Sequence, residues 1–182
     1  GSASDSDEAF VRSLAEKYHV PVHSISFDTK AFAKEHKLSI EEAARKLRYD
    51  FFDKIAEQHG YCYIATAHHN NDAIETFFIN LIRGTGLTGL HGIRPVNGKI
   101  IRPLLPFSRQ EISDYASQNS LPFHEDYTNN ETVFLRNKIR HQLLPLLKEM
   151  SPQIEPTMMR NMANLADADQ IFHEAIAIKQ ER

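Results

Sequence analysis

Apolar positions recur at helical spacing along most of this chain, with short β-like runs between them. Phe10, Val11, Leu14, Ala15 and Tyr18 follow that spacing, so residues 6–18 are expected to form an amphipathic helix, broken by Pro21. His23, Ile25 and Phe27 then alternate with smaller residues, the period of a short strand ending at Asp28. Ser39-Ile40-Glu41-Glu42 is a capping box, in which the serine oxygen and the Glu42 carboxylate satisfy backbone N–H groups at a helix start. That helix is expected to run to about His59, with Ile40, Ala44, Leu47, Phe51 and Ile55 buried, and Gly60 supplies a left-handed stop. Tyr61 to Ala67 is continuous and mostly apolar, as a strand buried on both faces of a parallel sheet would be. Residues 22–67 thus have the length of one strand–helix–strand crossover.

The second half is more mixed. Residues 71–83 read as a helix with Phe77, Phe78, Leu81 and Ile82 on its apolar side, and Gly84 to Gly89 as a glycine-rich loop. Asn97-Gly98, between Val96 and Ile100-Ile101, signals a hairpin turn. Ser108-Arg109-Gln110-Glu111 is a second capping box, opening a helix to about Asn119. Leu121-Pro122-Phe123 reads as a short extended piece and Glu125 to Asn130 as a polar loop. A helix from about Val133 carries Arg136, Asn137, Lys138 and Arg140 and is expected to stop at Pro145; beyond Pro152, Met158, Met159, Met162, Leu165 and Phe172 suggest a terminal helix. The alternation predicts an α/β domain with a mostly parallel sheet and a C-terminal helical segment.

Composition adds bounds rather than a function. With 182 residues, 41% hydrophobic and 25% charged, the chain suits one main soluble domain. A formal charge of −3 argues against nucleic-acid binding through bulk charge, while leaving room for a local basic patch. Cys62 is the only cysteine, which precludes an internal disulfide and fits a cytoplasmic setting. No apolar run approaches the roughly 20 residues of a membrane span. Residues 1–4 have the look of a cloning scar.

Chemistry concentrates after the apolar run, in Ala65-Thr66-Ala67-His68-His69-Asn70-Asn71-Asp72-Ala73-Ile74-Glu75-Thr76. In open α/β sheets, ligands bind outside the carboxyl ends of strands, where helix N-termini also point. Asp72 and Glu75 are three apart, so both carboxylates share one helix face. Such a pair suits Mg²⁺ or an ammonium group; alternatively the acids complement the positive helix end and the histidines merely pack.

His68-His69-x-x-Asp72-x-x-Glu75-Thr76, followed by Arg83-Gly84-x-Gly86-x-x-Gly89-Leu90-x-Gly92, resembles the tRNA(Ile)-lysidine synthetases. Upstream, Glu42-Ala43-Ala44-Arg45-x-x-Arg48-Tyr49 matches that family's Ala-Arg-x-x-Arg-Tyr segment. Downstream lie Arg102-Pro103-Leu104-Leu105 and Arg136-Asn137-x-Ile139-Arg140-x-x-Leu143-x-Pro145-x-Leu147. Each block is weak alone, but five in order over residues 8–150 are specific. The resemblance implies a partial, Rossmann-like PP-loop ATPase domain over residues 5–150, with 151–182 a helical linker toward tRNA-binding domains. It implies ligation of free lysine to C2 of the wobble cytidine of a tRNA(Ile) with a CAU anticodon, using ATP and Mg²⁺ through an adenylated tRNA.

Under that resemblance Asp72 and Glu75 orient the lysine, Asp72 with a share in Mg²⁺. His68 or His69 either assists proton transfer or metal ligation, or packs. Arg45 and Arg48 are expected to meet phosphate or adenylate, unless they form a solvated face. Gly84 and Gly86 permit close backbone approach to the nucleotide, or form a plain flexible loop. Arg136, Asn137 and Arg140 are expected to contact RNA backbone or phosphate.

Two departures qualify the match. Asn71 stands where the family often has an acid. The family's Ser-Gly-Gly-x-Asp-Ser phosphate loop has no counterpart, Ser4-Asp5-Ser6 being only a superficial echo. Without that loop the chain alone is expected to be inactive, and the first strand and helix missing with it would leave a sheet edge prone to association, for example as a homodimer. Ending at Arg182, short of the family's tRNA-binding domains, it is expected to bind tRNA weakly at best. Three other classes compete: another PP-loop enzyme such as a tRNA thiolase, which paired cysteines would favour; a hydrolase with His68, His69, Asp72 and Glu75 as metal ligands; and a non-catalytic binding fragment.

Overall fold

Local capping chemistry decides where the principal helices begin. The computed structural model describes residues 2–123 and 134–180. In order, its elements are α1 (Ser2–Tyr18), α2 (Thr29–His36), α3 (Ile40–His59), β1 (Ile64–Ala65), α4 (Asn70–Arg83), α5 (Leu87–Leu90), β2 (Val96–Asn97), β3 (Ile100–Ile101), α6 (Arg109–Gln118), α7 (Phe134–Lys138), a π turn (Ile139–Leu143), α8 (Leu144–Met150) and α9 (Ile154–Gln180). Glu42 N donates to Ser39 Oγ at 3.2 Å and Ser39 N to Glu42 Oε2 at 2.9 Å, closing the first expected capping box. Glu111 N and Ser108 N make the same exchange at 3.1 and 2.7 Å. Gly60 ends α3 at φ 69°, with the expected left-handed cap. The chain forms two compact units, Gly1–Ile64 and Ala65–Arg182.

The first unit is helical. Ala15, Ala33, Ala43 and Ala56 are its buried apolar residues. The stripe on α3 is displaced from expectation: Ala44, Leu47, Phe51 and Ile55 are only half-buried, and Ile40, in the first turn, is exposed. Val11 and Tyr18 on α1 are likewise exposed. Residues 22–28 are not a strand. A strand is stabilised by its ladder, and alternation alone supplies none. Arg12 ties this segment to α1 instead, donating Nη2 to Ser24 Oγ at 2.7 Å and to Glu8 Oε1 at 2.6 Å. Helix α2 was not anticipated; Asp28, read as a strand end, is its N-cap and accepts from Ala31 N at 2.9 Å.

The second unit opens on a small mixed sheet ordered β1-β3-β2. The strands β2 and β3 form the antiparallel hairpin expected from Asn97-Gly98, with Val96 opposite Ile101 and Asn97 opposite Ile100. Thr66 N donates to Ile101 O at 3.0 Å. The apolar run 61–67 is paired over only a short stretch, and Tyr61 and Tyr63 are exposed, so the doubly buried strand is not found among the described residues. The α/β class holds, with helices dominating.

The core of this unit is Ala73, Ile74, Leu105, Ile139, Leu144, Met158 and Met162. Full burial of side chains such as Ile74 and Ile139 contributes about 1.5–3 kcal/mol each. Helix α4 therefore buries its Ala73–Glu75 side, whereas Leu81 and Ile82 are exposed. Pro145 does not end its helix. Leu144 N reaches back five residues to Ile139 O, making a π turn, and Pro145 sits in the first turn of α8, where its missing N–H is tolerated. The expected loop 125–130 and the helix start at Val133 fall outside the described residues.

The terminal helix is α9. Met158, Met162, Leu165 and Asp169 lie along one inward stripe, while Phe172 is exposed. Asp169, almost wholly buried, accepts Thr88 Oγ1 at 2.8 Å and Arg94 Nη2 at 3.2 Å. These bonds pin the glycine-rich segment to α9, and part of that segment is the helical turn α5. Gly92 completes the contact. Its φ is 68°, and an added Cβ would lie 2.7 Å from Met162 Sδ and 2.9 Å from Ala73 O.

Candidate functional site

A buried carboxylate organises the second unit's cleft. Glu75, one turn into α4, is 1% exposed. Arg140, on the π turn, donates Nε to Glu75 Oε1 at 2.7 Å and Nη2 to Oε2 at 3.1 Å, a fork-to-fork pair. Arg136 Nε lies 3.2 Å from Glu75 Oε2 but out of line for a hydrogen bond; its Nη2 reaches Thr76 Oγ1 at 3.4 Å. Hydrogen bonding to Glu75 holds the Arg140 guanidinium more firmly protonated than usual; burial opposes this, and the charges of Glu75 and Asp72 reinforce it. Glu75 thus pairs with two arginines that the sequence places one turn apart, offsetting one of their two charges.

Asp72 has a different environment. It is half-buried, and its Oδ2 accepts from His69 N at 3.0 Å, so it caps the start of α4. His69 Nδ1 lies 3.6 Å from the same oxygen and makes no hydrogen bond. His68 Nδ1 is paired with Thr66 Oγ1 at 2.9 Å. Among the described residues no three His, Cys, Asp or Glu side chains are grouped to hold a metal ion. A hydrolase-type centre made of His68, His69, Asp72 and Glu75 is therefore not assembled. A lone carboxylate such as Asp72 still fits Mg²⁺, which takes one or two carboxylates and fills its octahedron with water and phosphate.

Beside this cluster is a cleft of about 280 Å³, onto which His69, Asn71, Glu75 and Arg140 open together with Arg109, Lys148 and Glu155. Asn71 bridges two of its walls: its Oδ1 accepts from Arg109 N at 2.9 Å and its Nδ2 donates to Glu155 Oε1. Lys148 Nζ is 2.9 Å from that same Glu155 oxygen. Arg109, Lys148 and Glu155 were not singled out from sequence. Glu155 is 84 residues from Asn71, and no local pattern marks such a meeting.

The remaining expected residues are dispersed. Asn137 is half-buried beside the arginine pair. Gly84 closes α4 and Gly86 precedes α5; a side chain added at either would meet nothing within 4 Å. In the first unit Arg45 is exposed, its guanidinium 4.7 Å from the Tyr49 ring centre, a cation–π contact. Arg48, also exposed, borders an open depression with Val11, Ile25, Phe27 and Phe51. Among the described residues, no helix is long and apolar enough to cross a membrane.

Comparison with known proteins gives this geometry a context. The chain is 47% identical over 97% of its length to a tRNA(Ile)-lysidine synthase of Bacteroides thetaiotaomicron, covering 41% of that protein. A lysidine synthase of Thermosipho africanus is 44% identical over 93% of the chain, which covers 40% of it; one of Chlorobaculum tepidum is 43% identical over 88%, with 49% covered. The chain thus spans about two fifths to one half of the length of these relatives. Among solved structures, the U34-tRNA thiolase NcsA of Methanococcus maripaludis with its [4Fe-4S] cluster superposes with a TM-score of 0.64 at 16% identity, covering 90% of this chain and 57% of that one. That likeness concerns the fold alone. A family model described as the PP-loop domain matches residues 2–147; with four fifths of its length inside that match, the chain belongs to the PP-loop domain family.

Proposed function

We propose that this chain is the PP-loop catalytic domain of a cytoplasmic tRNA(Ile)-lysidine synthase. The observation that carries the proposal is the 47% identity over 97% of the chain to a protein of that name. The arginine-clamped carboxylate at the cleft gives it a physical basis. The reaction has two steps. The C2 oxygen of the wobble cytidine attacks the α-phosphorus of ATP, and pyrophosphate leaves. The lysine ε-amine then attacks C2, the C2–O bond breaks, AMP leaves with that oxygen, and the amine loses its protons.

Charge accumulates on phosphate oxygens in the first step, which fixed cations stabilise without reorganising. Arg136 and Arg140 suit this task because Glu75 holds them in place. This refines the role expected for Glu75. Both its oxygens face guanidinium groups, so it positions the arginines, and Asp72 is the better candidate to receive the reacting amine. His69, its Nδ1 3.6 Å from Asp72 Oδ2, is the proposed acceptor of a proton from that amine. Mg²⁺, where bound, would be held by Asp72 and would neutralise phosphate charge. Asn137 is a proposed RNA contact, Gly84 and Gly86 proposed nucleotide contacts, and Arg45 and Arg48 proposed phosphate or adenylate contacts of the first unit.

Mass spectrometry of the wobble nucleoside is the test. The full-length protein, given ATP, lysine and tRNA(Ile) with a CAU anticodon, should convert cytidine into a product heavier by one lysine less one water. Cytidine left unmodified, or exchange of oxygen for sulfur, would refute the assignment.

A further inference from the structure

Helix α9 is fastened near its middle by a buried charge. Asp169 is 1% exposed, and it gathers partners from outside the helix as well as from within it. Thr88 Oγ1, on α5, donates to Oδ1 at 2.8 Å, and Arg94 Nη2 donates to Oδ2 at 3.2 Å. His173 Nε2, one turn further along α9, lies 3.4 Å from Oδ1. Those partners are themselves held. Arg94 Nε donates to His91 Nε2 at 3.2 Å, its carbonyl accepts Arg102 Nη1 at 2.6 Å, and Asn80 of α4 donates Nδ2 to Gly89 O at 2.8 Å. Past this point the helix runs on uncovered: no described residue after Asp169 is buried, and Ile171, Phe172 and Ile178 are exposed. A buried carboxylate is a poor way to gain stability, because desolvation cancels much of the attraction; its best-attested use is to fix register and orientation.

We infer that Asp169 is a positioning residue for the RNA substrate: by locking α9 to the glycine-rich segment, it sets the direction of the helix as a rigid arm. The first turn of α9 borders the cleft through Glu155. Asp169 lies about 21 Å further along the helix axis, and the arm continues for about 16 Å more to Gln180. A tilt at the lock is magnified at the free end, and any part of the chain that follows travels with it. The inference rests on the lysidine synthase reading, in which the substrates are ATP, lysine and a tRNA. ATP and lysine are too short to reach from the cleft to the free end of the arm. A tRNA is long enough to meet both at once. The lock therefore acts on the RNA and leaves the two small substrates alone.

The experiment measures KM for each of the three substrates, and kcat, in the full-length protein. Asp169→Asn and Thr88→Val should each raise KM for the tRNA about tenfold, with kcat and the KM values for ATP and lysine within about twofold of the parent. Thr88 is exposed and valine matches threonine in shape, so Thr88→Val carries the test should Asp169→Asn fail to fold. Thr88→Ser keeps the hydroxyl and should keep the parent's KM. Leu105→Ala, which opens a cavity in the core, should lower Tm at least as far as Thr88→Val and leave KM for the tRNA at the parent's value. An unchanged KM for the tRNA in the lock variants, a matching rise for ATP and lysine, or an equal rise in Leu105→Ala would overturn the inference. Absence of tRNA-dependent pyrophosphate release in the parent protein would instead refute the underlying reading, so the two failures are distinguishable.

Discussion

Arg140 grips the buried carboxylate of Glu75 through two hydrogen bonds, 2.7 and 3.1 Å long, across 65 residues of sequence. One charge pair thereby links α4 to the π turn and fixes where a cation stands in the cleft. Taking a carboxylate out of water carries a penalty of several kcal/mol, which only close, multiple partners offset.

Removing that carboxylate should therefore unfold more than it frees. Glu75→Ala leaves two guanidinium groups against an uncharged wall and should cost about 3 kcal/mol of stability. Arg140 is itself 23% exposed and partly rehydrates. Urea denaturation would check this; a loss under about 1 kcal/mol would show that the pair is not structural. The guanidinium's pKa is raised, so its contribution is fully present below the unfolded-state value and is lost only as pH rises through the folded one. The stability difference between parent and variant should accordingly be flat across neutral pH.

Asp72 should separate from Glu75 in its effects. Asp72→Asn weakens a helix cap, worth about 1 kcal/mol, yet as the amine's proposed partner it should lower kcat/KM for lysine about hundredfold in the full-length protein. Steady-state kinetics with a thermal melt on the same sample decides this. Near-normal turnover would remove Asp72 from the site.

Gly92 should tolerate nothing larger. Its left-handed backbone disfavours a side chain by about 1–2 kcal/mol, and an alanine Cβ would press on the Ala73 carbonyl at 2.9 Å. Gly92→Ala should thus cost about 2–4 kcal/mol. Gly98→Ala, at φ 59° with open space around it, should cost only the backbone part. Equal losses in the two melts would contradict the packing account.

The second capping box should be visible in a titration. Hydrogen bonds from the Ser108 backbone and side chain hold the Glu111 carboxyl below its ordinary value of 4.5. A depressed carboxylate contributes stability above its unfolded pKa and loses it as pH falls through the folded one. Ser108→Ala should raise the Glu111 pKa toward 4.5, measured by NMR, and weaken the acid sensitivity of α6.

Much of the helical framework was legible because its determinants are local. Ser39 with Glu42, Ser108 with Glu111, and Gly60 act over a few residues, and each did what its type requires. Asp28 was equally local but was read as a strand end, since the apolar alternation before it outweighed the cap. The strands were the weak point. Residues 22–28 and 61–67 carry β-like composition, but a ladder depends on a partner that composition does not specify. Pro145 misled for a related reason: the π turn before it absorbs the missing hydrogen bond.

The site was half legible. His69, Asp72, Glu75, Arg136 and Arg140 do gather in one unit, but sequence spacing treated Asp72 and Glu75 as equivalents. Burial distinguishes them: one caps a helix, the other holds two arginines. Lys148 and Glu155 could not be singled out, because their relation to Asn71 exists only in three dimensions.

Following the two leaving groups separately tests the central claim most directly. The full-length protein, with ATP and tRNA(Ile) bearing a CAU anticodon, should release pyrophosphate before any lysine is added, and AMP only once lysine arrives. Pyrophosphate release that does not depend on the tRNA, or AMP appearing in full without lysine, would contradict it.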